Sequence, residues 1–398
     1  MDRAVIPNLD SIDVGGIRRN FSKIDEMVYL NTGTEGLTPG PVLDRLIELT
    51  KNCETTGQAS FEYSRREIET ARSRVAHFLG VESSTIAFPE NATEAVNWVA
   101  ASLNFNAGDE VLLSLNEHPA MNFPWTYQCN RGRVSLNWFE ISIDPDETLA
   151  NIRRGITNRT RLIALSHVDR HQGRRVPAKK ICELAADAGV LVLLDGAQAL
   201  GQFPVDLNDL GVDFYAGNGH KWLCGPNGTG IFYAKNERLQ LLTQRHVGIG
   251  STETPFDWDR VGGPTLKPSA GRFEYGTRNR ATFGALAAAI DWLEDLGFDA
   301  IQSRMAALAA IVRDRAGDRG WQVTSPAGWD DGCGLISFNV PGTDGLTLTK
   351  HLAEERNTWV SSNFAGEIRV STHYFNTGYE IDRAFEEMDS YMKQHGAA

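Results

Sequence analysis

Between residues 84 and 235 short apolar runs alternate with segments of helical periodicity, and this alternation constrains the fold more than any other feature. "STIAFPE" precedes the helix-like "ATEAVNWVAASLNF", and "DEVLLSLNEH" precedes "PAMNFPWTYQCNRG". "VSLNWFEI" and "TRLIALSHV" follow, then the helical "VPAKKICELAADAG" and the strand-like "VLVLLDGAQ". A run that is apolar at every position has no solvent face, so both sides of the strand need cover, which the intervening helices provide. The pattern predicts an α/β fold, with a mostly parallel sheet covered by helices.

The pattern breaks from about 236 to 282, where "HVGIGSTETPFDWDRVGGPTLKPSAGRFEYGTRN" is rich in Gly, Pro and polar residues and too long for a simple connection. Helical "ATFGALAAAIDWLEDLG" and "FDAIQSRMAALAAIVRDRAG" come next, then strand-like "GLISFNV", helical "DGLTLTKHLAEE", strand-like "EIRVST" and helical "EIDRAFEEMDSYMKQ". With 398 residues the chain exceeds one small core. The expected organisation is an N-terminal arm (1–28), a large domain (29–282), and a small C-terminal α/β domain with its linking helix (283–398).

The composition, 41% hydrophobic and 23% charged, is that of a globular protein rather than a disordered one. A formal net charge of −12 gives no support to nucleic-acid binding or to an anionic membrane surface. No apolar run spans a bilayer, and "MDRAVIPNLDSIDVGG" lacks the apolar core of a signal peptide. The five cysteines, odd in number and without a CxxC pair, argue against a zinc site or a disulfide scaffold, so a reducing cytoplasm is the expected compartment. His167 and His171 stand four apart in "SHVDRH", on a strand leaving into a loop, and no metal site is expected there.

Polar residues gather where the predicted strands end: Glu117 and His118, Ser166 and His167, Asp195 and Gln198, His220 and Lys221. Open α/β sheets bind ligands at those ends. "GNGHKWLCGP" holds Lys221 in a turn between the apolar strands "GVDFYAGN" and "GTGIFYAK", which is not an ordinary solvated face. Asp195 closes the apolar run "VLVLL"; a helix cap or turn aspartate accounts for it as well as a buried carboxylate that needs a cation or strong donors. Asn91 and Thr93 precede a helix, where they serve either as a plain cap or as a phosphate seat. A buried carboxylate, a phosphate seat, a lysine, and a histidine after an acidic residue are together the parts of a pyridoxal 5′-phosphate site.

"GHKW" with "GPNGTG" after it, "LLDGAQ" upstream and "FEYGTRN" downstream make the chain resemble the fold-type I pyridoxal-phosphate enzymes of the class V aminotransferase superfamily, in particular the cysteine desulfurase and isopenicillin N epimerase branches. The likeness runs from "YLNTGTEGLTP" to "IRVSTHYFNTGYEID". It implies that Lys221 forms the Schiff base, that Asp195 pairs with the pyridine nitrogen, that Gln198 meets the ring hydroxyl oxygen and that His118 stacks on the ring. It assigns the phosphate to Ala92, Thr93, Asn218, His220 and Thr277, with Thr277 supplied by the neighbouring subunit of a homodimer with composite sites. Arg369 would clamp the α-carboxylate of a small amino-acid substrate.

Two departures shape the expected reaction. The loop "EERNTWVSSNFAGE" carries no cysteine and Cys333 lies outside it in "DGCGLISF", so the chain is expected not to be a cysteine desulfurase. Arg170 in "SHVDRHQG" stands where many relatives have a small or amide residue; it either binds a second anionic group or turns to solvent. The expected activity is lyase chemistry at the α-carbon, C–S cleavage of a cysteine conjugate by β-elimination within a biosynthetic pathway. Epimerisation, aminotransfer and decarboxylation-dependent oxidative deamination remain open on the same scaffold, as does a catalytically silent binding protein of this fold.

Overall fold

The computed structural model describes residues 5–254 and 263–396. Its strands, in chain order, are β1 (Val28–Tyr29), β2 (Ile86–Ala87), β3 (Glu110–Ser114), β4 (Ser135–Phe139), β5 (Thr160–Ser166), β6 (Leu191–Asp195), β7 (Phe214–Asn218), β8 (Gly230–Ala234), β9 (Leu335–Phe338), β10 (Thr358–Trp359), β11 (Ser361–Ser362) and β12 (Ile368–Ser371). Seven of them form the central sheet in the order β2-β8-β7-β6-β5-β3-β4. β8 runs antiparallel to both its neighbours; the other pairings are parallel. The expected α/β architecture with a mostly parallel, helix-covered sheet is the one the chain adopts.

Period-two alternation explains why the strands are apolar at every position. Leu112, Ile163, Leu165, Val192, Leu194 and Tyr215 enter one core. Their chain neighbours Val111, Leu113, Leu162, Ala164, Leu193 and Phe214 enter the other, on the opposite face. The register then levels the strand ends: Ser166 pairs with Asp195, and Asp195 with Ala216. The polar residues that follow the apolar runs therefore emerge side by side.

The C-terminal part is built on a three-stranded antiparallel sheet, β11-β12-β9. Phe338 on β9, Trp321 and Phe385 stack beside it, with the helices Phe298–Gly317, Gly345–Arg356 and Gly378–His395 around it. The sequence pattern shows two of these strands; β10 and β11, at two residues each, are too short to carry a period. The segment from Arg18 to Leu30 is tied to this region. β1 pairs in parallel with β10, Val28 and Leu30 belong to the same apolar cluster as Phe338 and Phe385, and Arg18 donates to the Phe375 carbonyl and the Glu380 carboxylate.

Within the irregular stretch from 236 to 282, a helical turn at Ala270–Phe273 leads into Glu274. The Glu274 carboxylate receives Arg72 Nη1 at 2.6 Å and Nη2 at 3.0 Å, and the Phe88 N–H at 2.8 Å. Arg72 also donates to the Ile86 carbonyl and lies over the Phe88 ring. Both side chains are buried, so each charge depends on the other, and this pair pins the segment leading to Thr277. Removing one partner strands the other without solvent. Arg72→Met is expected to destabilise the fold by about 3–5 kcal/mol, read as a lower denaturant midpoint at unchanged slope; an unshifted midpoint would show that the pair is not holding this segment.

Candidate active site

The levelled strand ends open into one cavity, lined by Ala92, Thr93, His118, Ala120, Ser166, Val168, Arg170, Asp195, Ala197, Gln198, Asn218 and Lys221. Nine of the residues singled out in the sequence thus meet here: Ala92, Thr93, His118, Ser166, Arg170, Asp195, Gln198, Asn218 and Lys221. Arg369 adjoins them through the Arg170 carbonyl. His220 and Thr277 stand outside the lining, and Thr277 is exposed.

Asp195 ends β6 in full burial because the apolar run carries it there. Its Oδ1 accepts the Ala197 N–H at 2.8 Å. Burial raises its carboxyl pKa, while the Ala197 N–H and the Lys221 charge pull it back down. Lys221, in the turn after β7, is pushed down to about 8, chiefly by burial; Asp195 opposes this, and Arg369 and Arg170 add to it. A lysine amine in this range is substantially neutral at mildly alkaline pH, as covalent capture of a carbonyl requires.

The helix Ala92–Ser102 points its N-terminus at the cavity, capped by Asn91 accepting from Glu94 N–H at 3.0 Å. Asn218 Oδ1 accepts the Ala92 N–H at 2.8 Å, locking the helix start to the end of β7. Gly230 on β8 permits the approach: a Cβ there would lie 2.7 Å from the Asn91 nitrogen. Free N–H groups at a helix start favour a phosphate. His118 caps the helix Pro119–Asn130, its Nδ1 accepting from Ala120 N–H at 3.0 Å, so the ring proton sits on Nε2. Desolvation, then the charges of Arg170, Lys221 and Arg369, push this ring down to about 4, so it is a neutral, flat group at the cavity wall. Next to it, Glu117 accepts from Ser166 N–H and Oγ, and burial raises its carboxyl to about 8.

Gln198 lines the cavity, yet most of its amide is spent within the protein. Nε2 donates to the Gly33 carbonyl and Oε1 accepts from Trp222 Nε1, leaving one amide N–H for a ligand. His167 and His171 diverge: His167 is buried with Nδ1 3.0 Å from the Tyr215 hydroxyl, and His171 packs on Phe364.

Arg369, on β12, is buried. Nε donates to Ser361 Oγ, Nη1 to the Arg170 carbonyl and Nη2 to Thr34 Oγ1, all neutral acceptors at 2.8–3.0 Å. Burial, followed by the Arg170 charge, lowers it to about 10. Arg170 Nη1 is itself buried without a hydrogen-bond partner among the described residues.

Sequence reasoning missed the segment from Asn31 to Thr38, which closes the site from the far end of the chain. Besides the contacts of Gly33 and Thr34, Gly36 N–H donates to the His220 carbonyl at 2.7 Å. A Cβ on Gly36 would lie 1.9 Å from the Lys221 carbonyl oxygen, so only glycine fits. The available signal was the turn-rich "NTGTEGLTPG", which reads as a plain loop.

These residues fit pyridoxal phosphate. The site offers a lysine of lowered pKa, a buried carboxylate, a helix N-terminus and, among the described residues, two guanidiniums in no ion pair with a carboxylate.

Comparison with known proteins agrees with this geometry. The family model "Aminotransferase class-V" matches residues 28–383. The isopenicillin N epimerase of Amycolatopsis lactamdurans is 33% identical over 394 residues, covering 94% of this chain and 98% of its own. A probable cysteine desulfurase of Methanothermobacter thermautotrophicus is 30% identical over 400 residues, covering 94% and 96%. Among solved structures, the cysteine desulfurase of Thermococcus onnurineus NA1 superposes with TM-score 0.87 at 25% identity, covering 99% of this chain and 100% of that one. A cystine C–S lyase in complex with its product cysteine persulfide gives TM-score 0.85 at 25% identity, covering 92% and 98%. The expectation that the chain stands apart from the cysteine desulfurases is corrected by these likenesses. It rested on one thiol missing from one loop, whereas the similarity to desulfurases extends over nearly the whole chain and its fold. With the model matching almost end to end and the site assembled to suit the cofactor, the chain belongs to the class V aminotransferases, enzymes dependent on pyridoxal 5′-phosphate.

Proposed function

We propose that this enzyme cleaves the carbon–sulfur bond of a cysteine conjugate by β-elimination. The observation carrying the reading is Lys221, a buried amine whose pKa burial pushes down to about 8, set beside Arg369, a buried guanidinium in no ion pair. Arg369 receives the α-carboxylate through paired hydrogen bonds and so fixes which bond at the α-carbon faces Lys221. Pyridoxal phosphate supplies an electron sink for the pair left behind when that bond breaks. Asp195 holds a proton at the pyridine nitrogen, and the neutral His118 ring bounds one face of the cavity. Once the substrate amine has displaced it from the cofactor carbonyl, Lys221 Nζ would be free to take the α-proton, and the Cβ–S bond would break with sulfur leaving as thiolate with the electron pair. The released enamine hydrolyses to pyruvate and ammonium. The likeness to a cystine C–S lyase supports this choice.

The second reading is epimerisation, favoured by the 33% identity to an isopenicillin N epimerase. It shares the proton removal by Lys221 but returns the proton to the other face and leaves the Cβ substituent in place. Incubating the holoenzyme with S-substituted L-cysteines decides between them. Equimolar thiol and pyruvate are expected; appearance of the D-isomer without pyruvate would overturn the lyase reading. Arg369→Ala is expected to lower kcat/KM about a hundredfold for every α-amino acid tested, corresponding to a loss of about 3 kcal/mol.

The low pKa of Lys221 sets a pH dependence. Only the neutral amine attacks, so the rate at which apo-protein captures pyridoxal phosphate should rise about tenfold per pH unit below pH 8 and level off above it. Asp195 holds the lysine proton on, so Asp195→Asn moves the bend to lower pH. Stopped-flow absorbance reads both, and a flat profile from pH 6 to 8 would contradict the assignment.

We also propose, as the class V resemblance implies, a homodimer with composite sites in which the exposed Thr277 contacts the phosphate bound by the partner. The wild type is expected to elute as a dimer, and Thr277→Arg to lose cofactor on dialysis. A monomer with full cofactor occupancy would refute this arrangement.

A further inference from the structure

We infer that Arg170, roofed by Phe364, seats a second carboxylate, so that the substrate is an α-amino acid whose side chain ends in an acid. This rests on the reading of the cavity as an α-amino-acid site and not on which bond is broken.

Arg170 lines the cavity with Lys221 and Asp195, and its Nη1 is buried without a hydrogen-bond partner among the described residues. Arg369 holds the Arg170 carbonyl with Nη1 at 3.0 Å, which fixes the two guanidinium-bearing residues relative to one another. The α-carboxylate answers the charge of Arg369; Arg170 is still unanswered. Asp169, whose field reaches Arg170, spends its carboxylate on the backbone: Oδ1 accepts from His171 N–H and Oδ2 from Gln172 N–H, each at 2.9 Å. The Arg170 guanidinium carbon lies 5.0 Å from the Phe364 ring centroid, and His171 packs against the same ring.

Phe364 is 76% exposed and is held by a turn built for it. Asn363 Oδ1 accepts from Ala365 N–H and Glu367 N–H, and its Nδ2 reaches the Glu367 carboxylate. A solvent-exposed phenyl ring placed over a cation screens one face of the guanidinium while leaving its edge for a planar anion. Arginine is the side chain suited to this, because its fork meets both oxygens of a carboxylate.

The test titrates holoenzyme with butyrate, succinate, glutarate and adipate, followed by calorimetry. The best dicarboxylate is expected to bind ten- to a hundredfold tighter than butyrate, the gain from one additional charge-assisted contact. In Arg170→Met this ratio should fall toward one, and in Arg170→Lys it should fall part of the way. A ratio near one in the wild type would overturn the inference, as would a ratio unchanged in Arg170→Met. Should Arg170→Met fail to hold cofactor, Arg170→Gln carries the same comparison, and the wild-type ratio stands as a test by itself. If the ratio behaves as expected while no cysteine conjugate yields thiol, the acid subsite stands and the lyase reading falls. If conjugates are cleaved but dicarboxylates show no advantage, the reverse holds.

Discussion

The structure depends on the burial of a carboxylate at the end of an apolar strand. Five residues from Leu191 to Asp195 are threaded between two apolar layers, and the last of them carries a charge. A lone ion in that position is costly unless something answers it. The Ala197 N–H answers one oxygen, and Lys221, on the next parallel strand's exit, supplies an opposing charge. The lysine's own burial lowers its pKa to about 8, toward the neutral form. Chemistry and fold thus share one cause.

The second determinant is imbalance of charge. The cavity that holds Lys221 and Arg170 beside Asp195, with Arg369 adjoining through the Arg170 carbonyl, gathers three basic side chains around one carboxylate. Arg369 illustrates the arrangement: three of its nitrogens are anchored on neutral oxygens, which fixes the fork without using up its charge. Fixing a guanidinium with carbonyls and hydroxyls orients it while leaving its charge without a carboxylate partner.

Much of this was legible in the sequence because it is local. Apolar runs of four to seven residues, helical periods between them and polar residues at the exits are all read within short windows, and Asp195, His118 and Lys221 announce themselves that way. What could not be read is pairing over distance. Thr34 meets Arg369 across 335 positions, β1 finds β10, and the Gly33 carbonyl takes one of the two Gln198 amide N–H groups that the sequence leaves free for a ligand. Two-residue strands have no period, and a glycine-rich turn does not state what it covers. The cysteine-free loop misled for a related reason: a missing side chain is a local fact, and kinship with the desulfurases is carried by the chain as a whole.

The closure of the site by residues 31–38 on one side and β12 on the other has a consequence for biogenesis. A nascent chain that has delivered Asp195 and Lys221 still lacks Arg369 and its partner Ser361, and Thr34, made long before, has nothing to hold. The large sheet can form while synthesis continues, because its strands all precede residue 235, but the pocket cannot be finished until β12 has been made. A polypeptide cut short of β12 therefore keeps Asp195, Lys221 and Arg170 but lacks Arg369, whose fork Ser361 and Thr34 anchor.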